Sequence, residues 1–242
     1  MFDIDKYTKE YSDNPFEEVK VYYRKKKIIE VMKKGSWGHV LEIGCGLDPL
    51  FNYVKYDSYC VIEPSPQFFE EAKNEAKKHT NIECVHDYFG ANTKLPRETY
   101  DCIICSSLLH EVKYPAEIMQ GIHHFCDENT IVHVNVPNAK SLHRLLGKSM
   151  EIIKDEHDLS EKGVLFQQNR VFDMDALKDL VTQCGFKIIN EGSIFVKPFS
   201  HDQMKLMLDA GCIDRKVLDG LYHLSELIPE YGSEIYLNLK KK

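Results

Sequence analysis

No apolar run in this 242-residue chain approaches the ~20 residues that a membrane-spanning helix needs. The first residues, MFDIDKYTKEYSDNPFEE, lack the basic segment and apolar core of a secretory signal. A soluble, cytoplasmic protein with no membrane partner is the expectation. Positive charge is also short. There are 31 Lys and Arg against 38 Asp and Glu, a net charge of -7, which argues against a nucleic-acid partner. No H-E-x-x-H and no spaced Cys/His set appears, so no metal is expected. Internal repeats and low-complexity tracts are missing too.

The chain does have eight cysteines, most of them inside apolar runs. That placement fits buried free thiols in a reducing compartment. Cys102 and Cys105 form a C-x-x-C, but YDCIICSS reads as a core strand, where residues three apart point to opposite faces. With 43% hydrophobic residues the chain can bury a sizeable core.

Residues 14–34 read as a helix capped by Asn14, with Pro15 in its first turn and Gly35 as its stop. Strand and helix signals then alternate. Strands are expected at His39–Ile43, Tyr59–Glu63, Asn81–Val85, Tyr100–Cys105 and Thr130–Val136. Helical patterns lie near Pro49–Val54, Gln67–Lys78 and Pro115–Phe125. This order implies a parallel sheet with right-handed crossovers. After Val136 come a short helix at Ala139–Leu146, a long polar stretch to residue 172 and a capped helix at Asp173–Cys184. A strand at Phe186–Phe195, a helical segment over 202–227 and a last strand at Glu234–Leu239 complete the pattern.

The most informative segment is Val40-Leu41-Glu42-Ile43-Gly44-Cys45-Gly46, with Glu63 closing the next apolar run. Glycines serve where the chain turns sharply beneath a ligand. A carboxylate about 20 residues beyond the turn can accept both hydroxyls of a ribose. A dinucleotide site would show a third glycine, but the turn reads GCGLDP. Glu42 beside a pyrophosphate would be repulsive, whereas a carboxylate near a cationic ligand is favourable.

On these residues the sequence resembles the class I S-adenosylmethionine-dependent methyltransferases. Glu42, Gly44 and Gly46 match the first motif and Glu63 the second. Asp87 in CVHDYF, with Tyr88 beside it, matches the acid that contacts the adenine amino group. Asp101 opens the fourth strand. The loop after it, from Ser106 through His110 and Glu111 to Val112, lies where the methionine part binds. The family often reads L-E-H-V there, and this chain has its histidine one position earlier. The later VPNAKSLHRLLG, the loop with His157 and the segment with Arg170 resemble bacterial methyltransferases of surface polysaccharide or secondary-metabolite synthesis.

The resemblance implies one α/β domain over 1–242. Its fold is a Rossmann-like, seven-stranded, mostly parallel sheet with helices on both faces and an antiparallel last strand. Residues 1–35 form a helical cap, 36–140 the cofactor core, 137–172 an acceptor loop and 173–242 the remaining sheet with its insertion. S-adenosylmethionine is the implied cofactor and S-adenosylhomocysteine its product. Glu42, Gly44, Gly46, Glu63, Asp87, Tyr88 and Ser106 are the candidate cofactor residues. His110 and His157 are the candidate bases, a neutral histidine suiting proton removal near pH 7. Tyr23, Arg24, Glu111, Asn135, His143 and Arg170 are candidate acceptor contacts, with Asn169 beside the last.

No N-P-P-Y-like tetrapeptide follows the fourth strand, which disfavours methylation of nucleic-acid bases. The expected acceptor is a small molecule, through an oxygen of a sugar or of a phosphorylated or nucleotide-linked intermediate. Two alternatives stay open: a nicotinamide-dependent enzyme on a similar sheet, and a non-catalytic protein that binds S-adenosylmethionine.

Overall fold

A computed structural model describes residues 3–12, 14–32 and 37–242; the expected stop at Gly35 lies outside them. Seven strands form one sheet: β1 His39–Ile43, β2 Ser58–Ile62, β3 Ile82–Val85, β4 Cys102–Ser106, β5 Ile131–Pro137, β6 Phe186–Ile194 and β7 Glu234–Lys241. Their order is β3-β2-β1-β4-β5-β7-β6. The first five run parallel, and β7 lies antiparallel between β5 and β6. This is the Rossmann-like methyltransferase topology expected from the sequence.

The central strands are continuous apolar runs because both of their faces are covered. On one face Leu41, Ile43, Ile103 and Val134 meet Met119 and Ile122 of α4 (Pro115–His124) and Leu177 and Val181 of α7 (Met174–Gln183). On the other, Val40, Val61 and Ile104 meet Ile28 of α2 (Glu17–Met32) and Phe51. Each such side chain contributes about 1.5–3 kcal/mol by leaving water. Cys102 and Cys105 fall in these two opposite layers, and all eight cysteines are free thiols.

Several elements differ from the sequence reading. A helix α1 (Ile4–Ser12) precedes α2. Helix α2 starts at Glu17, because Phe16 takes a φ of 65° that no helix continues. The segment after the glycine turn is one 3-10 turn, Leu50–Asn52. Helix α3 spans Pro66–Ala76, capped by Ser65. The stretch 137–172 holds α5 (Leu142–Ser149) and α6 (Glu161–Leu165). The segment 202–227 is two helices, α8 (His201–Asp209) and α9 (Arg215–Leu227). Gly211 at φ 69° ends the first, and Asp214 caps the second through the Val217 amide.

Candidate active site

Ligands in open parallel sheets collect at the carboxyl ends of the strands. The chain has a cavity of about 1520 Å³ there. Glu42, Gly44, Gly46 and Glu63 line it, as do Tyr88, Ser106, Glu111 and Arg24. The remaining candidates (Asp87, Tyr23, His110, Asn135, His143, His157 and Arg170) do not.

The glycine turn is built by backbone conformation. Gly44 and Gly46 sit at φ 74° and 58°, where a side chain would be strained. An added Cβ at either would meet nothing within 4 Å, so the turn borders open space. Glu63 organises this turn. Its Oε2 accepts the amides of Cys45 at 3.0 Å and Gly46 at 3.3 Å, and its Oε1 accepts that of Ser65 at 2.9 Å. Burial nevertheless leaves its carboxyl above its ordinary pKa. Glu42 is a brace of the same kind. It accepts from the Leu50 amide and from the Tyr59 hydroxyl at 3.0 Å, and burial lifts its pKa to about 7. Asp48, two residues beyond Gly46, pairs with Lys25 and accepts from Tyr53 at 2.8 Å. Asp87 is exposed and accepts from the Tyr88 amide.

The loop after β4 separates His110 from Glu111. His110 is 2% exposed, and its Nδ1 has no partner. Burial pushes its pKa down to about 3. Glu111 faces the cavity. Its Oε1 accepts from Tyr7 of α1 at 2.9 Å and lies 3.6 Å from His110 Nε2. Among the described residues no hydrogen-bond donor meets its Oε2. Burial raises its pKa to about 8, against the opposing pull of the Tyr7 hydroxyl and Arg24. Cavity access at this loop thus belongs to the residue after the expected base.

The other expected acceptor contacts are tied up elsewhere. Arg24 donates to Glu234 at 2.8 and 2.6 Å and to Glu17 at 3.1 Å, a buried network that Lys20 joins 3.2 Å from Glu234. Asn135 donates to Glu234 at 2.9 Å. Tyr23 is core: its ring stacks on Phe195 and Tyr222, and its hydroxyl donates to Asp219. His143 is half-buried near Lys197 and His201, and its pKa is held well below the usual value, first by desolvation and then by their fields. Arg170 donates to the carbonyls of Val112 and Lys113. Asn169 bonds the carbonyls of His110 and Glu111, at 2.9 and 2.6 Å. Residues 169–170 therefore hold the Glu111 loop in place. His157 is exposed and bonds Asp155, 3.4 Å from Asp173. Tyr7 and Lys25 line the cavity without having been singled out in the sequence. Tyr7 lies on a short and largely polar helix, and Lys25 is marked only by its distant partner Asp48.

A family model described as a methyltransferase domain matches residues 17–191. The chain belongs to the class I S-adenosylmethionine-dependent methyltransferases. This methyltransferase shares 19% identity with a Thermotoga maritima protein described as a possible histamine N-methyltransferase, over 100% of both chains, with a TM-score of 0.63. A Mesorhizobium loti S-adenosylmethionine-dependent methyltransferase gives 12% identity, 90% and 98% coverage and a TM-score of 0.62. The N-methyltransferase NodS of Bradyrhizobium japonicum, solved with S-adenosylhomocysteine, gives 11% identity, 95% and 89% coverage and a TM-score of 0.57. These likenesses carry the fold. No curated protein matches the sequence. The cofactor is S-adenosylmethionine, and when bound it supplies an electrophilic methyl group. The open turn at Gly44 and Gly46 and the buried Glu63 carboxyl beside it fit that molecule.

Proposed function

We propose that this methyltransferase acts on a small acceptor bound at the Glu111 end of the cavity, and that Glu111 takes the proton the acceptor gives up. The observation that carries this reading is Glu111 on the cavity wall, beside a His110 that is buried away from it. Glu63 and the turn at Gly44 and Gly46 hold the ribose end, with Tyr88 and Ser106 along the same wall. Glu42 keeps the turn in shape. Tyr7 orients Glu111 from above, and Asn169 and Arg170 fix its loop from behind.

A small acceptor, rather than a nucleic acid, agrees with the net charge of -7. Among the described residues no helix is long and apolar enough to cross a membrane. The sugar acceptor of a polysaccharide intermediate, expected from the sequence, is compatible with the cavity's size. A phosphorylated or nucleotide-linked one is less so, because Arg24 and Arg170 are both engaged. Glu111→Ala tests the reading. Turnover should fall about 100-fold or more, as when a positioned base is lost, while S-adenosylhomocysteine affinity changes little. A near-wild-type rate would remove Glu111 from the reaction.

A further inference from the structure

The cavity wall between α1 and α2 is rich in acceptors of hydrogen bonds. Among the described residues Glu111 Oε2 has no hydrogen-bond donor. Asn14 lines the same cavity, and its buried Oδ1 also has none. Glu17 lines it with a carboxylate. The cation whose field reaches Glu111 is Arg24, and its guanidinium is bound to Glu17 and Glu234. This end of the cavity therefore offers lone pairs to whatever enters.

We propose that the methylated atom is an amine nitrogen, and that the acceptor enters as an ammonium ion held by Glu111. The inference rests on the methyltransferase reading and names its substrate class. An ammonium brings up to three donors and a full positive charge; a hydroxyl brings one donor and no charge. The wall matches the first. An acceptor presenting phosphate or carboxylate here would meet Glu111 and Glu17. Four lysines also line the cavity, each set against a group of its own: Lys25 on Asp48, Lys205 on Asp209, Lys26 over the Tyr222 ring and Lys113 over the Tyr114 ring.

The proton chemistry agrees. An ammonium has no lone pair and must lose one proton before it reacts. In the empty cavity Glu111 holds its own proton at neutral pH; the entering ammonium favours the carboxylate, so that proton leaves to water, and the ammonium then passes one of its own to the carboxylate. The freed lone pair forms the C–N bond as the C–S bond breaks, its electron pair staying on sulfur. Glu111 is then reset by losing the proton to water. Burial holds Glu111 at about 8, with Glu17 and Glu63 adding to the rise and Tyr7 and Arg24 opposing it. His110 beside it stays neutral. An alkyl ammonium, like a lysine, titrates near 10.4, so the transfer is uphill by only about two units. An alcohol is far less acidic, with water itself at about 15.7, so the same transfer would be uphill by several more.

The test uses the wild-type protein, S-adenosylmethionine labelled with ¹³C in its methyl group, and a small-molecule extract of cells that carry the gene. The carbon shift of the new methyl group tells nitrogen from oxygen. Label on nitrogen is expected. Label on oxygen, or no label in a protein that binds S-adenosylhomocysteine by calorimetry, overturns the inference. Failure to bind S-adenosylhomocysteine would instead overturn the methyltransferase reading. Two further readouts address Glu111. In Glu111→Gln, kcat/KM should drop about 100-fold at neutral pH, and the deficit should shrink as alkaline pH frees the amine in solution. A deficit constant with pH counts against the proposal. Infrared difference spectra of wild type against Glu111→Gln, without cofactor, should show a protonated carboxyl that titrates near 8. A carboxyl that keeps its proton even at pH 10 could not serve as the base and overturns it.

Discussion

Glu111 keeps its proton to about pH 8 in the folded chain because it is buried, and this has a stability consequence of definite sign. In the unfolded chain a glutamate ionises near 4.3. Between those values the folded state binds the extra proton, so the contribution of Glu111 to stability falls as pH rises from about 4 to 8. Glu42, lifted to about 7 by burial, acts in the same direction. Glu111→Gln has no such proton to lose. Its urea midpoint should fall less than that of wild type between pH 5 and 8, with Glu111→Gln the more stable of the two at pH 8. Parallel curves would mean that Glu111 is ionised in the fold. Glu63 is tested separately. Removing its carboxyl takes away the proposed ribose acceptor and the partner of three amides at once. Glu63→Ala should weaken S-adenosylhomocysteine binding more than tenfold, about 1.4 kcal/mol, in a calorimetric titration. Gly44, Gly46 and Glu63 were legible in the sequence because strand ends and glycine turns have a fixed spacing. The partition of His110 from Glu111 was not. It depends on a loop that leaves β4 through Ser107 at φ 57° and is pinned by Asn169, and neither feature has a local signature.

Helix α2 shows how an element can be found while its role is misread. Its apolar positions mark a helix against the sheet, and Ile28 does bury there. Its charged face could have been solvated or ligand-facing. It is instead packed inward, because Glu234 of β7 comes from far along the chain to meet Arg24. Burial alone would raise the Glu234 pKa, yet Arg24 and Lys20 outweigh it and hold it near 2. Breaking a buried pair leaves an uncompensated charge and costs about 3–5 kcal/mol. Arg24→Met should therefore lower the thermal midpoint by about 10 °C, while S-adenosylhomocysteine affinity changes by less than threefold. The reverse pattern would make Arg24 a ligand for the cofactor after all. The β1 bounds, His39–Ile43, coincide with the expected ones because a doubly buried strand is one continuous apolar run. Helix α1 was missed for the opposite reason: IDKYTKEYS is polar, and tertiary bonds such as Tyr7 to Glu111 hold it.

At the scale of the molecule, two ligand and solvent responses follow. S-adenosylhomocysteine at about 100 times its dissociation constant should add roughly 2.7 kcal/mol, a thermal shift of about 5–10 °C for this size. NAD should give none, and an NAD shift alone would reopen the nicotinamide reading. Acid should also destabilise the fold. Burial holds His110 near 3 and His133 and His201 near 4, so below pH 6.5 the unfolded chain gains protons that the fold refuses. Glu234 contributes stability above about 4.5 that is lost as pH falls toward 2. The urea midpoint should therefore decline steadily from pH 6.5 to 4, and a flat profile there would mean these histidines are hydrated. Finally, the position of β7 constrains synthesis. On the ribosome β6 emerges well before the strand that joins it to β5, with α8 and α9 made in between. Until Glu234–Lys241 is made, β5 presents an open edge and β6 has nothing to pair with. Such edges invite association between nascent chains. Co-translational folding can complete the five parallel strands, but the sheet closes only after β7 leaves the exit tunnel.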